Sequence, residues 1–176
     1  MPVVYVGQDY FYRQGLDSLV KSISLPLHPP LAIMDDGVQY LYFIELSVSP
    51  SINEHSKEPI SFLLDNLKGV IPKTASFEQI RNEIIRFKNG RYRHVQLTHG
   101  QMRVLNQIAR GVPPKLAMIK LDLNYKSWHN FKDAAFNRIG IKNTITFIRA
   151  VHIYKEFSNE LLLWHLSSNY PRWHET

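Results

Sequence analysis

The sequence predicts an α/β first half, in which short strands alternate with helices, followed by an all-α second half of four helices. Two shifts along the chain carry this reading. Up to about residue 90, short apolar runs (VVYV, LAIM, GVIP) sit between amphipathic stretches, whereas after residue 96 the apolar residues fall at helical spacing throughout. Charge shifts at the same place: residues 1–95 carry 10 Lys and Arg against 10 Asp and Glu, and residues 96–176 carry 11 against 5. With 176 residues and 44% hydrophobic side chains, the chain has room for one large core or two small ones.

In chain order, residues 3–6 read as a buried strand, and Asp9 is placed to cap a helix with apolar positions Tyr12, Leu16, Leu19 and Val20. SLPLHPP (24–30) cannot continue that helix, because proline lacks the amide donor and clashes with the preceding turn. LAIM and VQYLYFIELSV flank Asp35-Asp36-Gly37, a turn that glycine favours, and so read as a β-hairpin with the longer run as a central strand. The polar segment 50–59 is a loop, ISFLLDNL (60–67) a short helix and GVIP (69–72) another buried strand. Ser76 and Gln79 form a capping box for a helix with Phe77, Ile80, Ile84 and Phe87 on one side, ending at Asn89-Gly90.

A basic linker follows. Thr98 and Gln101 then form a second capping box, ahead of Met102, Leu105, Ile108 and Ala109, with Gly111 as terminator. Pro113 and Pro114 suit the first turn of the next helix, which runs to about Leu121. Residues 122–124 make a turn. A helix over 125–139 places Trp128, Phe131, Ala135 and Ile139 on one face and Lys126, His129, Asn130 and Asp133 on another, and Gly140 ends it. Asn143 caps a fourth helix through Phe147, Ile148, Val151 and Tyr154, with a continuation through LLLWHL (161–166).

Composition excludes several classes. There is no cysteine, hence no disulfide or thiolate chemistry. Eight scattered histidines show no HExxH or other tight ligand spacing, so no metal and no cofactor are expected. No run reaches the roughly 20 apolar residues of a membrane span, and the opening MPVVYVGQDYFYRQG lacks a basic region followed by an apolar stretch. A cytoplasmic protein without membrane contact is expected. Enzyme signatures are also missing: GVIPKT lacks the glycines of a phosphate-binding loop, and there is no GxSxG. Residues 96–151 hold 9 basic and 2 acidic side chains, which suits a surface meeting a polyanion or, alternatively, a solvated basic helical face.

Two helices joined by a short turn, the second amphipathic and basic at its outer N-terminal end, form a helix-turn-helix pattern. Residues 97–143 resemble the DNA-binding domain of LuxR/FixJ-type transcription regulators. Leu97-Thr98, Val104-Leu105, Ile108-Ala109, Gly111, Lys115, Leu121, Lys126-Ser127 and Ile139-Gly140-Ile141 fall where that family has LT, VL, IA, G, K, L, KT and LGV. The resemblance implies that 113–121 is the scaffold helix and 125–139 the recognition helix. It makes Lys115, Lys126 and Ser127 backbone contacts, and places His129, Asn130, Lys132 and Asp133 where family members reach bases or phosphates. Asn can pair bidentately with adenine, and His can donate to a guanine edge. Gln101, Trp128 and Phe131 replace the usual Glu, a small β-branched residue and His, which implies a core repacked with larger groups. Asp133 stands where many members are basic or neutral, and a carboxylate there opposes phosphate.

Ahead of it, residues 1–90 resemble a degenerate response-regulator receiver. VVYVGQDYFYRQGL (3–16) mirrors the opening strand and helix, and GVIPKTASFEQIRNEIIRFKNG (69–90) the last strand and helix, with Lys73 at the receiver lysine. Gly7 and Gln8 stand where the magnesium-binding acidic pair is needed, and Glu45 stands at the phospho-acceptor position. The resemblance implies a receiver that is not phosphorylated. Lys73 and Glu45 are candidates for a constitutive ion pair, or else are unrelated surface positions. The span between Pro50 and Gly69 is too short for an intact receiver, so at least one βα unit is missing. Such shortened receivers resemble those of atypical enterobacterial regulators of capsule, curli and fimbriae.

The expected organisation is thus a receiver-like domain over 1–90, a linker over 91–95, a LuxR-type domain over 96–158 and an aromatic extension over 159–176. Two functional readings follow. One is a sequence-specific, phosphorylation-independent DNA-binding regulator acting as a dimer on double-stranded DNA. The other is an interaction module that heterodimerises with or antagonises another regulator and reads DNA weakly. The resemblance places the dimer contact on the fourth helix, with Phe147, Val151, Tyr154, Leu162 and Trp164 as its residues. The alternative is that 161–173 folds back onto the N-terminal domain.

Overall fold

A computed structural model describes residues 3–23, 31–46, 59–92 and 95–166 of the chain, with side chains apart from those of 59, 61, 62, 65 and 159–166. Strand β1 (Val3–Val6) leads into helix α1 (Tyr10–Ser22). The Asp9 carboxylate accepts from the Tyr12 amide at 3.0 Å, the cap that the sequence predicts. Strands β2 (Leu31–Asp35) and β3 (Tyr40–Glu45) form the expected hairpin. Its turn is held by carboxylates: Asp35 Oδ1 accepts from the Gly37 amide, and Asp36 Oδ1 accepts from the amides of Val38, Gln39 and Tyr40. Gly37 itself sits at φ +77°, where a side chain would be strained. Helix α2 (Pro59–Asn66), strand β4 (Leu67–Pro72) and helix α3 (Phe77–Lys88) complete this half, and the Ser76–Gln79 capping box is present.

The strands form one mixed sheet in the order β1-β2-β3-β4. β1 and β2 are parallel, and β3 runs antiparallel to both of its neighbours. Alternation along the strands gives each face its own partner. Leu31, Ile33, Leu41 and Phe43 pack with Leu16 of α1 and with Ile80, Ile84 and Phe87 of α3. Ala32, Met34, Tyr40, Tyr42 and Ile44 point to the opposite face.

That second face meets α2 and the helical half of the chain. The latter consists of α4 (His99–Ala109), α5 (Pro114–Leu121), α6 (Tyr125–Ile139) and α7 (Thr144–Leu166). The Thr98–Gln101 capping box opens α4, and Asn124 and Asn143 accept from the amides of Ser127 and Thr146, both at 2.8 Å, to start α6 and α7. Phe131 packs so closely on α4 that a Cβ at Gly100 would lie 2.8 Å from its ring, so the larger ring uses space that a side chain at 100 would take. One buried core runs from Met34 and Tyr42 of the sheet through Leu63 and Leu64 of α2 to Val104, Leu105, Phe136, Phe147, Val151 and Tyr154. Hydrogen bonds also stitch the halves: Asn66 Nδ2 donates to Tyr154 OH, and Thr146 Oγ1 donates to Gln39 Oε1, each at 3.3 Å. The expected boundary near 91–95 is therefore bridged by continuous packing, and α7 runs unbroken past the expected boundary at 158. No described helix is long and apolar enough to cross a membrane.

Candidate functional site

Helix α5 ends at Asp122, whose left-handed backbone (φ 54°, ψ 49°) turns the chain within three residues into α6. Aspartate tolerates that conformation better than most residues. Trp128, Ala135, Phe136 and Ile139 bury the inner face of α6 against α4 and α7. Phe136 is an anchor that the sequence reading left out, although it sits one residue from Ala135. The outer face is polar: Lys126, Asn130 and Asp133 are exposed, and Ser127 and His129 are half-buried. Lys115, in the first turn of α5, is exposed as well. The residues expected to meet DNA thus lie in the first turn of α5 and the first two turns of α6, where the positive end of each helix dipole favours phosphate.

Lys132 departs from the expected role. Its side chain is only 20% exposed, and its Nζ lies 3.3 Å from His129 Nδ1 and 3.4 Å from Asp133 Oδ1. It braces its neighbours rather than extending to a phosphate. Asp133 is correspondingly balanced by a cation. Tyr125 packs its ring 4.3 Å from that of His129. Leu116 and Ile119 of α5, together with Tyr125, are strongly exposed apolar side chains beside Lys115. Their spacing of three residues was the signal for a shared outer face, hidden because such spacing reads equally well as core.

In the sheet half, the structure corrects the expected pairing of Lys73 with Glu45. Glu45 does not meet Lys73. It closes β3 and pairs with Lys68 at 3.2 Å, because antiparallel pairing carries it to the opposite end of the sheet from Lys73. Lys73 instead reaches Asp35 Oδ2 at 2.7 Å and Asp9 Oδ2 at 3.3 Å, with Tyr12 beneath its ammonium. Tyr5 OH also donates to Asp35 Oδ2, at 2.7 Å. Burial would lower the lysine pKa, but Asp35 and then Asp9 outweigh it and raise it. Asp9 is held below the ordinary carboxylate value, first by the Tyr12 amide and then by Lys73. Burial, reinforced by Asp35, pushes the Tyr5 hydroxyl far up. Gly7 and Gln8 form the bend after β1, and a Cβ at Gly7 would lie 2.6 Å from Tyr5 OH and 2.9 Å from Asp35 Cβ. Asp35 and Asp9 were read only as turn and cap residues. The signal for a site was a carboxylate ending a short, fully apolar strand.

The fourth-helix residues are likewise corrected. Phe147 (1% exposed), Val151 and Tyr154 are buried in the chain's own core and unavailable to a partner, because this side of α7 covers α2. The side chains of Leu162 and Trp164, and residues 167–173 of the expected fold-back segment, lie outside the described residues. Ile145 and Ile148 occupy the outward side of α7 and are exposed. Among the described residues no group of His, Asp and Glu is placed to hold a metal ion. Compared with known protein families, characterised proteins and solved structures, the chain matches none.

Proposed function

We propose that this chain is a sequence-specific DNA-binding transcription regulator of the LuxR type, acting as a dimer and without phosphorylation. The observation that carries the reading is the outer face at the α5–α6 junction. Lys115, Lys126, Ser127 and Asn130 stand together on the solvent side of a helix pair whose inner side is locked by Trp128, Ala135 and Ile139. A helix so anchored can enter a major groove as a rigid reader.

The sheet half is read as a shortened receiver whose second face is covered by α2 and the helical half instead of by the missing units. Its carboxylate site is already closed. Asp35 is buried, its Oδ1 takes the Gly37 amide, and its Oδ2 takes both Tyr5 and Lys73, which supports a site that accepts no phosphoryl group. Dimerisation falls to the outward side of α7, with Ile145 and Ile148, rather than to the buried Phe147 side. Such a regulator works in the cytoplasm on double-stranded DNA and needs no cofactor.

A second reading is favoured by Leu116, Ile119 and Tyr125, whose exposed apolar surface beside Lys115 suits a protein partner that would compete with DNA. Selection of duplexes from a random pool by the full chain separates the two. Enrichment of one inverted-repeat sequence is expected, and recovery of an unenriched pool would favour the interaction module.

A further inference from the structure

The recognition helix carries a short relay on its outer face. Tyr125, His129, Lys132 and Asp133 follow at spacings of four, three and one, so the first three rise along one side of α6. The Tyr125 ring packs against the imidazole of His129 at 4.3 Å, and Lys132 Nζ approaches His129 Nδ1 at 3.3 Å. An ammonium has three donors and no acceptor. A hydrogen bond between them therefore requires Nδ1 to accept, which leaves the proton on Nε2. Asp133 Oδ1 lies 3.4 Å from the same ammonium. Among the described residues none accepts from Nε2.

We propose that His129 reads an acceptor on a purine edge in the major groove as a fixed Nε2–H donor, and that Lys132 and Tyr125 are its positioning residues. The inference rests on the DNA-binding reading above and refines it. A neutral imidazole free to choose its tautomer can meet either a donor or an acceptor and discriminates poorly. Lys132 removes that choice, and Tyr125 restricts the ring's rotation. The ring then rejects the exocyclic amino groups of adenine and cytosine and accepts purine N7 or guanine O6. Asp133 has a part too, since it anchors Lys132 and keeps that cation from being drawn to a phosphate.

The test uses the full chain in two arms. In the free protein, nitrogen-15 NMR of the His129 ring at a pH where it is neutral should show Nε2 protonated and Nδ1 unprotonated, with Lys132→Ala moving the ring toward a mixture of tautomers. A protonated Nδ1, or no response to Lys132→Ala, overturns the proposal whatever the DNA does. In the second arm, duplexes selected by the wild-type chain are compared with selections by His129→Ala, Lys132→Ala and Asn130→Ala. His129→Ala and Lys132→Ala should lose preference at the same base pair, by about fivefold for one hydrogen bond, and Asn130→Ala at a different one. A 7-deazapurine at the His129 position should remove the wild-type advantage there when the acceptor is N7, and 2-aminopurine, which lacks O6, should remove it when the acceptor is guanine O6. Uniform weakening on all duplexes by His129→Ala would assign the ring to a phosphate and overturn the proposal. A wild-type chain that enriches no sequence would overturn both this proposal and the function it rests on.

Discussion

The side-chain amide of Asn66, at the end of α2, donates to the hydroxyl of Tyr154 on α7 across 88 residues of sequence. Both residues are buried. Tyr154→Phe or Asn66→Ala should each cost about 0.5–1.5 kcal/mol, the net worth of one hydrogen bond. The double variant should cost less than the sum, as a cycle of urea unfolding curves will show. The shared core further predicts that circular dichroism and tryptophan fluorescence report a single unfolding transition.

The carboxylate cluster sets both ends of the pH profile. Asp9 has a lowered pKa, so its contribution is present above the ordinary carboxylate value of 3.8 and is lost as pH falls through the folded value. Lys73 and Tyr5 have raised pKa values. Their contributions are present below the ordinary values of 10.5 and 10.0 and are lost as pH rises through the folded ones. Stability is thus expected to be level at neutral pH and to fall on both sides. Lys73→Met should lower the plateau and flatten the alkaline limb, as melting curves across pH will measure.

Incubation with acetyl phosphate and Mg²⁺ should leave the mass of the chain unchanged. Asp35 has both oxygens engaged, and Gly7 and Gln8 supply no carboxylate for the metal. A stoichiometric mass increase on Asp35 would contradict the closed site.

Much of the molecule was legible in the sequence because it is locally encoded. The caps at Asp9, Ser76, Thr98 and Asn143, and the turns at Gly37 and Gly140, depend on neighbours within about four residues, and each lies where the local sequence predicts. What escaped depends on sheet register and helix docking. Whether Lys73 meets Glu45 or Asp35 follows from the antiparallel direction of β3, which no local pattern states. Phe147, Val151 and Tyr154 read as a free apolar stripe because the surfaces that bury them, on α2, α4 and α6, come from earlier in the chain and meet α7 only once the helices dock. Lys132 is a different case: it read as a contact to bases or phosphates, although the partners that hold it, His129 and Asp133, lie within three residues on α6.

Dimerisation through the outward side of α7 predicts that Ile148→Glu, and more strongly Ile145→Glu with Ile148→Glu, yields a folded monomer. Both side chains are exposed within one chain, so the substitutions should change its melting temperature by little. Sedimentation velocity should show the loss of dimer, and DNA affinity should fall with it, since two half-sites are no longer held together. An unchanged sedimentation coefficient would place the dimer contact elsewhere.

The central claim is that the outer face of α5 and α6 binds DNA. Fluorescence anisotropy of the full chain on its selected duplex and on a scrambled duplex, over a range of salt, tests it most directly. The selected duplex should bind at least about 10³-fold more tightly. Lys115→Ala and Lys126→Ala should each weaken both duplexes alike and reduce the slope of log affinity against log salt by about 0.9, while Asn130→Ala should lower affinity only for the selected one, by about 1–3 kcal/mol. Equal affinity for the two duplexes, with a salt slope unaltered by Lys115→Ala and Lys126→Ala, would contradict the account.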